Sequence, residues 1–87
     1  MLDDKDLLLS GLKVDGQILY YANKQMRNDK DVVLAAVKNK GIIVKYASEN
    51  LKDDKEIALA ALSQNKKCYE FLGYNIKQDE EIKKIVD

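Results

Sequence analysis

Residues 29–62 read DKDVVLAAVKNKGIIVKYASENLKDDKEIALAAL, and this stretch contains one pattern twice. An aspartate, a lysine and a second acidic residue begin at Asp29 and again at Asp54, and each time an apolar run with paired alanines follows. Self-similarity at a fixed period of about 20–50 residues is typical of proteins that stack one small structural unit. The pattern therefore predicts a repeat protein.

The repeat continues through the rest of the chain with a period of 25 residues. Successive copies start with MLDDKDLLLSGLK, MRNDKDVVLAAVK, LKDDKEIALAALS and IKQDEEIKKIVD, and they align without a gap. In the last copy, Lys83 and Lys84 stand where earlier copies have apolar residues, as expected of the polar outer face of a C-terminal cap. We divide the chain into three full repeats and a half-repeat cap: 1–25, 26–50, 51–75 and 76–87.

The sequence pattern of each full repeat predicts two helices. The sequences NDKD at 28–31 and DDKE at 53–56 resemble capping boxes, in which a short polar cap is followed three residues later by a carboxylate, and carboxylates in a first turn complement the helix dipole. We predict that Gly16 and Gly41 end the first helix in a left-handed conformation and that Asn50 and Asn75 end the second. The predicted helices cover residues 5–14, 17–24, 30–39, 42–49, 55–64, 67–74 and 79–86.

These elements predict an all-α fold, in which tandem two-helix repeats form a short α-solenoid of right-handed type with about seven short helices. Each unit should contact its neighbours and no more distant unit. The predicted core consists of apolar residues in the two central repeats: Leu34, Ala36, Val37, Ile43, Tyr46, Ala47, Leu59, Ala61 and Leu62. Tyr21 and Phe71 align with Tyr46 and are expected to share its core position.

Composition limits the classes of function. The 15 basic residues balance 15 acidic ones, whereas nucleic-acid-binding domains usually carry a basic excess. The first residues lack the basic and apolar regions of a signal peptide, and no apolar run approaches the ~20 residues of a transmembrane helix. We therefore expect a cytoplasmic protein, with a monomer favoured, that binds neither nucleic acid nor membranes.

Catalytic and metal-binding residues are scarce in this sequence. It has no histidine, which excludes Ser-His and Cys-His pairs and histidine-ligated zinc. Cys68, the single cysteine, aligns with Ile18 and Ile43, and we interpret it as a small buried residue. Carboxylate pairs such as Asp53-Asp54 lack the spacing of a calcium loop and recur at helix starts, so we interpret them as caps. We predict no enzyme activity, no cofactor and no metal site.

Residues 29–62 resemble the bacterial and viral repeats described as "domain of unknown function 4116". Those repeats are similar to D-x-E-V-V-L-A-A-V, a glycine, and an apolar stretch that ends near Y-A-S. The resemblance is closest over residues 26–75. Ser10-Gly11 replaces the alanine pair in the first repeat, and Lys66 replaces the glycine in the third. The resemblance implies helical repeats and carries over no catalytic residue.

Two functions remain open. The repeat architecture favours a non-catalytic protein–protein interaction module, and the alternative is a structural spacer or a fragment of a longer array. One position in the predicted second helix changes chemistry between copies while its sequence neighbours keep their character: Tyr20, Lys45 and Glu70. We predict that these three form an exposed partner-binding row. The residues four positions further along the same helices should flank it: Lys24, Glu49 and Tyr74.

Overall fold

The computed structural model describes residues 5–86, and the regular elements in this range are all helices. The predicted all-α class is therefore confirmed, while residues 1–4 and 87 of the predicted repeats lie outside the described range. Three units, which begin at Lys5, Lys30 and Lys55, each consist of a ten-residue α-helix, a six-residue 3₁₀ helix (η) and a four-residue α-helix, and a seven-residue α-helix forms the fourth unit. The elements are α1 (Lys5–Val14), η1 (Gly16–Tyr21), α2 (Lys24–Arg27), α3 (Lys30–Asn39), η2 (Gly41–Tyr46), α4 (Glu49–Lys52), α5 (Lys55–Gln64), η3 (Lys66–Phe71), α6 (Tyr74–Lys77) and α7 (Glu80–Val86).

The long helices begin where the sequence predicts. Asp29 accepts hydrogen bonds from the backbone N–H groups of Asp31 (3.0 Å) and Val32 (3.3 Å) at the start of α3. Asp54 and Asp79 cap α5 and α7 in the same way. These bonds satisfy N–H groups that have no partner within their own helix. The interpretation of the recurring aspartates as caps is confirmed for these three residues. The capping boxes predicted over 28–31 and 53–56 are wrong, because Asn28 and Asp53 end the preceding short helices α2 and α4.

The second half of each unit is two elements rather than one helix. The backbone becomes extended directly after each 3₁₀ helix, at Ala47 in the second unit. The next residue, Ser48, then accepts a hydrogen bond from a backbone N–H three residues later and begins a new helical turn. The helices predicted over 17–24, 42–49 and 67–74 are therefore wrong. Asn50 and Asn75 lie inside α4 and α6, so the prediction that they end a helix is also wrong.

Gly16 and Gly41 do not end the long helices in a left-handed conformation. No residue in the described range, whether glycine or another type, has a positive φ angle. They are the buried first residues of η1 and η2. A Cβ atom on Gly16 would lie 2.6 Å from the carbonyl oxygen of Ala36, and one on Gly41 would lie 2.9 Å from that of Ala61. Glycine is required here because the long helix of the following unit passes too close for a side chain.

A side-chain amide from each following unit closes the end of the preceding long helix. Asn39 accepts a hydrogen bond from the N–H of Gly16 (2.7 Å) and donates one to the carbonyl oxygen of Lys13 (3.0 Å). Gln64 forms the matching pair of bonds one unit later, with the N–H of Gly41 (2.8 Å) and with a carbonyl oxygen of α3. The close approach at the glycines is therefore fixed by hydrogen bonds.

The short helices are also tied across units, but by two different arrangements. Ser48 caps its own helix α4, and its hydroxyl donates to Asn28, which ends helix α2 of the preceding structural unit (2.6 Å). At the same place before α6 stands Gly73, which has no side chain to act as a cap. Asp53 of the preceding unit caps α6 instead, by accepting a hydrogen bond from the N–H of Ile76 (2.9 Å).

Consecutive units pack directly on each other. Helix α1 packs on α3, α3 on α5 and α5 on α7, while η1 packs on η2 and η2 on η3. Buried apolar residues of all units form one core, and the described part of the chain measures 39 × 21 × 15 Å.

Six of the nine predicted core residues are buried: Ala36, Val37, Ile43, Ala47, Ala61 and Leu62. The prediction is wrong for Leu34, Tyr46 and Leu59, which are only half-buried. Val33 and Ala58, one position earlier in the long helices, are fully buried instead. The buried positions of each long helix are thus two adjacent pairs, 32–33 with 36–37 in α3 and 57–58 with 61–62 in α5, which lie on one helical face. Leu34 and Leu59 lie beside this face, at the edge of the core.

Candidate interaction surface

Lysines at the start of the long helices join consecutive units in a ladder of ion pairs. Lys5 Nζ lies 3.0 Å from a carboxylate oxygen of Asp29 and 3.2 Å from one of Asp31. Lys30 and Lys55 make the corresponding contacts in the next units, with Asp54, Glu56, Asp79 and Glu81. The carboxylates thus neutralise lysines across the unit boundaries. Within residues 5–86 no group of three or more potential ligands could hold a metal ion.

The ladder changes the ionisation of its members. Partial burial opposes ionisation of Asp29, but hydrogen bonds from Lys5 and from the N–H of Val32 outweigh it and hold the pKa of Asp29 below its ordinary value of 3.8. The N–H of Ile82 is the main cause that lowers the pKa of Asp79. Hydrogen bonding to Asp29 raises the pKa of Lys5 above its usual value. These groups stay charged near neutral pH and stabilise the contacts between units.

Aromatic rings and a cation form a continuous row along the 3₁₀ helices. The rings of Tyr20 and Tyr46 meet edge to face, with their centroids 5.0 Å apart. Lys45 Nζ lies 5.2 Å from the ring centroid of Tyr46 and 5.9 Å from that of Phe71. Such cation–aromatic contacts are attractive because the face of a ring is electronegative. We term Tyr20, Tyr46, Lys45 and Phe71 the ring row, and it runs across three units.

Arg27 holds the first part of the ring row in place. Its guanidinium group donates hydrogen bonds to the carbonyl oxygens of Tyr20 and Ala22, the second at 3.2 Å. The same group lies 5.9 Å from the ring centroid of Tyr46. One arginine therefore links the backbone of η1 to a ring on η2.

Two of the three residues predicted to form the partner-binding row belong to the ring row. Tyr20 is 47% exposed and Lys45 is also exposed, and both side chains contact the ring of Tyr46. Glu70 is exposed as well, but among the described residues no ion pair joins its carboxylate to Lys45. The structure therefore brings Tyr20 and Lys45 together and leaves Glu70 beside them.

The predicted flanking residues are the first residues of the short helices. Lys24, Glu49 and Tyr74 begin α2, α4 and α6, and all three are exposed. Lys24 and Glu49 line an open polar groove of about 550 Å³ between α2 and α4, together with Asn28 and Ser48. Tyr74 is not part of this groove. The structure thus places two of the three residues in one groove.

The aromatic residues at the aligned positions 21, 46 and 71 differ in burial. Tyr46 and Phe71 are half-buried, whereas Tyr21 is 71% exposed, so the prediction that Tyr21 belongs to the core is wrong. The difference arises because η2 and η3 each pack on a preceding 3₁₀ helix, and none precedes η1 in the described chain. Tyr21 instead packs edge to face on Tyr20, at 5.1 Å between centroids. Sequence reasoning found these rings but not their contacts with Tyr20 and Lys45.

Cys68 is fully buried, as predicted from its alignment with isoleucines. Burial raises the pKa of its thiol, which keeps the group protonated and unreactive near neutral pH.

None of the helices in residues 5–86 combines the length and the apolar character needed to cross a lipid bilayer.

Comparison with known proteins gives one family. The family described as "Domain of unknown function (DUF4116)" matches the chain over residues 4–52 and again over residues 34–77. The chain belongs to this family. DUF4116 thus extends over the first repeat as well as the segment that resembles it most closely. The comparison finds no match among curated proteins and none among solved structures.

Proposed function

We propose that this DUF4116 chain is a short α-solenoid of right-handed type that acts as a non-catalytic protein–protein interaction module. The equivalent helix starts at Lys5, Lys30 and Lys55 support the repeat arrangement, and so do the matching glycine–amide contacts between units. The family model matches the chain twice, over residues 4–52 and 34–77, which also supports internal repetition. Stacked repeats fix the scaffold and leave exposed positions to bind partners.

The ring row carries the proposed interaction. It places aromatic and cationic side chains on a rigid, partly exposed surface that crosses three units. Tyrosine and arginine are enriched among residues that dominate binding energy at protein interfaces. Ordered rings lose little conformational freedom when a partner binds. The contacts among the rings and Lys45 therefore support a preorganised aromatic surface.

The inventory of reactive groups supports a role without catalysis. The sequence has no histidine, the single thiol is buried, and the recurring carboxylates of the long helices serve as caps and ion-pair partners. General acid–base or nucleophilic catalysis needs such groups free and positioned in a cleft. We propose the same cytoplasmic setting that composition indicates.

The alternative role, a spacer within a longer array, is less favoured by the residues of the fourth unit. Glu80 stands at the position of Lys5, Lys30 and Lys55, so it could not bridge the two carboxylates of a further unit. Lys83 stands where Val33 is fully buried. Both substitutions oppose stacking of an identical unit on α7.

A triple substitution tests the interaction module. Tyr20→Ala, Lys45→Ala and Glu70→Ala should leave the fold intact, because all three side chains are exposed. A protein captured from native lysate with the parent chain, and shown to bind it directly after purification, should lose that binding. The matched control carries alanine at three exposed residues of the third unit: Ser63, Lys66 and Lys67. Equal binding by both variants would contradict the proposal for this surface.

A further inference from the structure

A second surface, formed by the long helices, has an apolar floor that is open to solvent. Leu34 and Ala35 of α3 are half-buried, and with Lys13, Lys38, Asn39 and Asp31 they line a groove of about 440 Å³. The core of the unit does not cover this floor. Apolar side chains in a surface groove are the type of floor on which the apolar face of a partner helix packs.

Some of the polar and charged groups around this groove have a partner within the chain, whereas two lysines form no ion pair among the described residues. The carboxylate of Asp31 pairs with Lys5 at 3.2 Å, and the amide of Asn39 is engaged by Gly16. Lys13 and Lys38 are exposed, and neither forms an ion pair within the described residues. The groove therefore combines an apolar floor with two lysines that have no ion-pair partner among the described residues.

The two lysines are equivalent positions of consecutive units, at the C-terminal ends of α1 and α3. Helices that pack directly lie ~8–10 Å apart, and α1 packs directly on α3. Two turns of an α-helix rise ~11 Å. Two carboxylates that lie two turns apart on a partner helix therefore match the spacing of Lys13 and Lys38.

We propose that this groove docks an acidic amphipathic helix of a partner protein. The partner helix lies across the first two units, inserts apolar side chains against Leu34 and Ala35, and pairs its carboxylates with Lys13 and Lys38. Helix-in-groove recognition uses apolar anchors at helical spacing in this way, and charged rims fix orientation. None of the residues that line the groove belongs to the ring row, so this inference does not rest on the function proposed for that row.

Synthetic peptides about five turns long provide the probe. One set has an apolar stripe flanked by glutamates one or two turns apart, and the matched set has lysines in place of the glutamates. Titration into isotope-labelled protein, followed by amide chemical shifts, should show binding by peptides of the acidic set alone. The shifted amides should include those of Leu34, Ala35 and Lys38.

Variants separate this groove from the rest of the surface. Lys13→Glu with Lys38→Glu should weaken the acidic peptide by about tenfold or more, because two ion pairs become repulsive. Lys66→Glu with Lys67→Glu makes the same change in net charge at exposed sites elsewhere and should leave affinity within about twofold. The triple alanine variant of Tyr20, Lys45 and Glu70 should bind the peptide like the parent.

Three results would overturn the proposal. The first is that no acidic peptide binds better than its lysine-substituted match. The second is that the shifted amides lie outside the groove. The third is that both pairs of charge reversals weaken binding equally, which would indicate attraction to net charge alone.

Discussion

Gly41 and Lys66 occupy the same position in consecutive units, yet their surroundings differ. Both begin a six-residue 3₁₀ helix, so the local backbone has the same form. Gly41 is buried against α5, where a Cβ atom would lie 2.9 Å from the carbonyl oxygen of Ala61, whereas Lys66 is exposed. The comparison shows that the following long helix, rather than the turn itself, determines where this fold needs glycine.

The largest change in unfolding free energy is expected when Gly41 is replaced, and this replacement tests the comparison directly. Gly41→Ala forces α5 away from η2 and weakens the hydrogen bond from the N–H of residue 41 to Gln64. Overpacking of this kind costs about 1–3 kcal/mol of unfolding free energy. The matched change Lys66→Ala should stay within about 0.5 kcal/mol of the parent, as exposed sites do. Urea unfolding followed by circular dichroism measures both, and overlapping curves for the two variants would contradict the role given to α5.

A second comparison concerns the short helices α4 and α6, which are capped in different ways. Asp53→Ala removes the cap of α6 and leaves Gly73 unable to replace it. Asn28→Ala leaves α4 with its own cap, Ser48. We expect the first change to cost about 1 kcal/mol of unfolding free energy, as loss of an N-cap does. The second should cost less, because it removes one exposed hydrogen bond.

A rescue distinguishes capping from other effects of Asp53. A Cβ atom at residue 73 would lie 2.3 Å from Asp53 Oδ1, a contact that Asp53→Ala removes, and 3.1 Å from the Cβ atom of residue 53, which remains. Gly73→Ser in the Asp53→Ala chain therefore needs a shift of only a few tenths of an ångström. The double variant then has a serine cap like that of α4 and should regain most of the lost free energy. A double variant no more stable than Asp53→Ala would show that the carboxylate acts in another way.

The smallest effect is a dependence of stability on pH. The pKa values of Asp29 and Asp79 lie below the ordinary 3.8 in the folded chain. Because the unfolded chain binds these protons first, the stabilisation is present above about pH 4 and is lost as pH falls further. Asp29→Asn and Asp79→Asn keep a capping oxygen but remove the charge. Urea unfolding of these variants should depend less on pH between about 5 and 2 than that of the parent, and an unchanged profile would contradict the assignment.

For the lysines, the dependence of folding stability on pH has the opposite sign. The pKa values of Lys5, Lys30 and Lys55 are raised above 10.5 by their hydrogen-bonded acids. Their contribution is therefore complete below about pH 10.5 and is lost as pH rises through the folded-state values.

Local signals in the sequence were sufficient for the starts of the long helices. A cap such as Asp29 acts within three residues, so its effect can be read without knowing the fold. The face of α3 could not be predicted, because residues 32–37 are all apolar and helical periodicity then selects no side. The core position predicted for Leu34 is consequently wrong, because this residue lines a groove.

Contacts between units account for the other differences between the predicted and the observed structure. Gly16 and Gly41 stand out in the sequence, but their cause lies about 20 residues further on, in the helix that passes them. The break at Ala47 likewise serves a cap that bridges two units through Ser48 and Asn28. For the candidate site, the change of residue type at one position identified Tyr20 and Lys45. Their meeting on the ring of Tyr46 depends on the stacking of η1 on η2.

The most direct test of this account is the set of nuclear Overhauser contacts of the labelled chain in solution. The account predicts contacts from the amide of Gly16 to the side chain of Asn39 and from the amide of Gly41 to that of Gln64. It also predicts far fewer contacts between α1 and α5 than between either of these helices and α3. Contacts between α1 and α5 as extensive as those with α3, or the loss of both glycine contacts, would indicate a closed bundle and contradict the stacked arrangement.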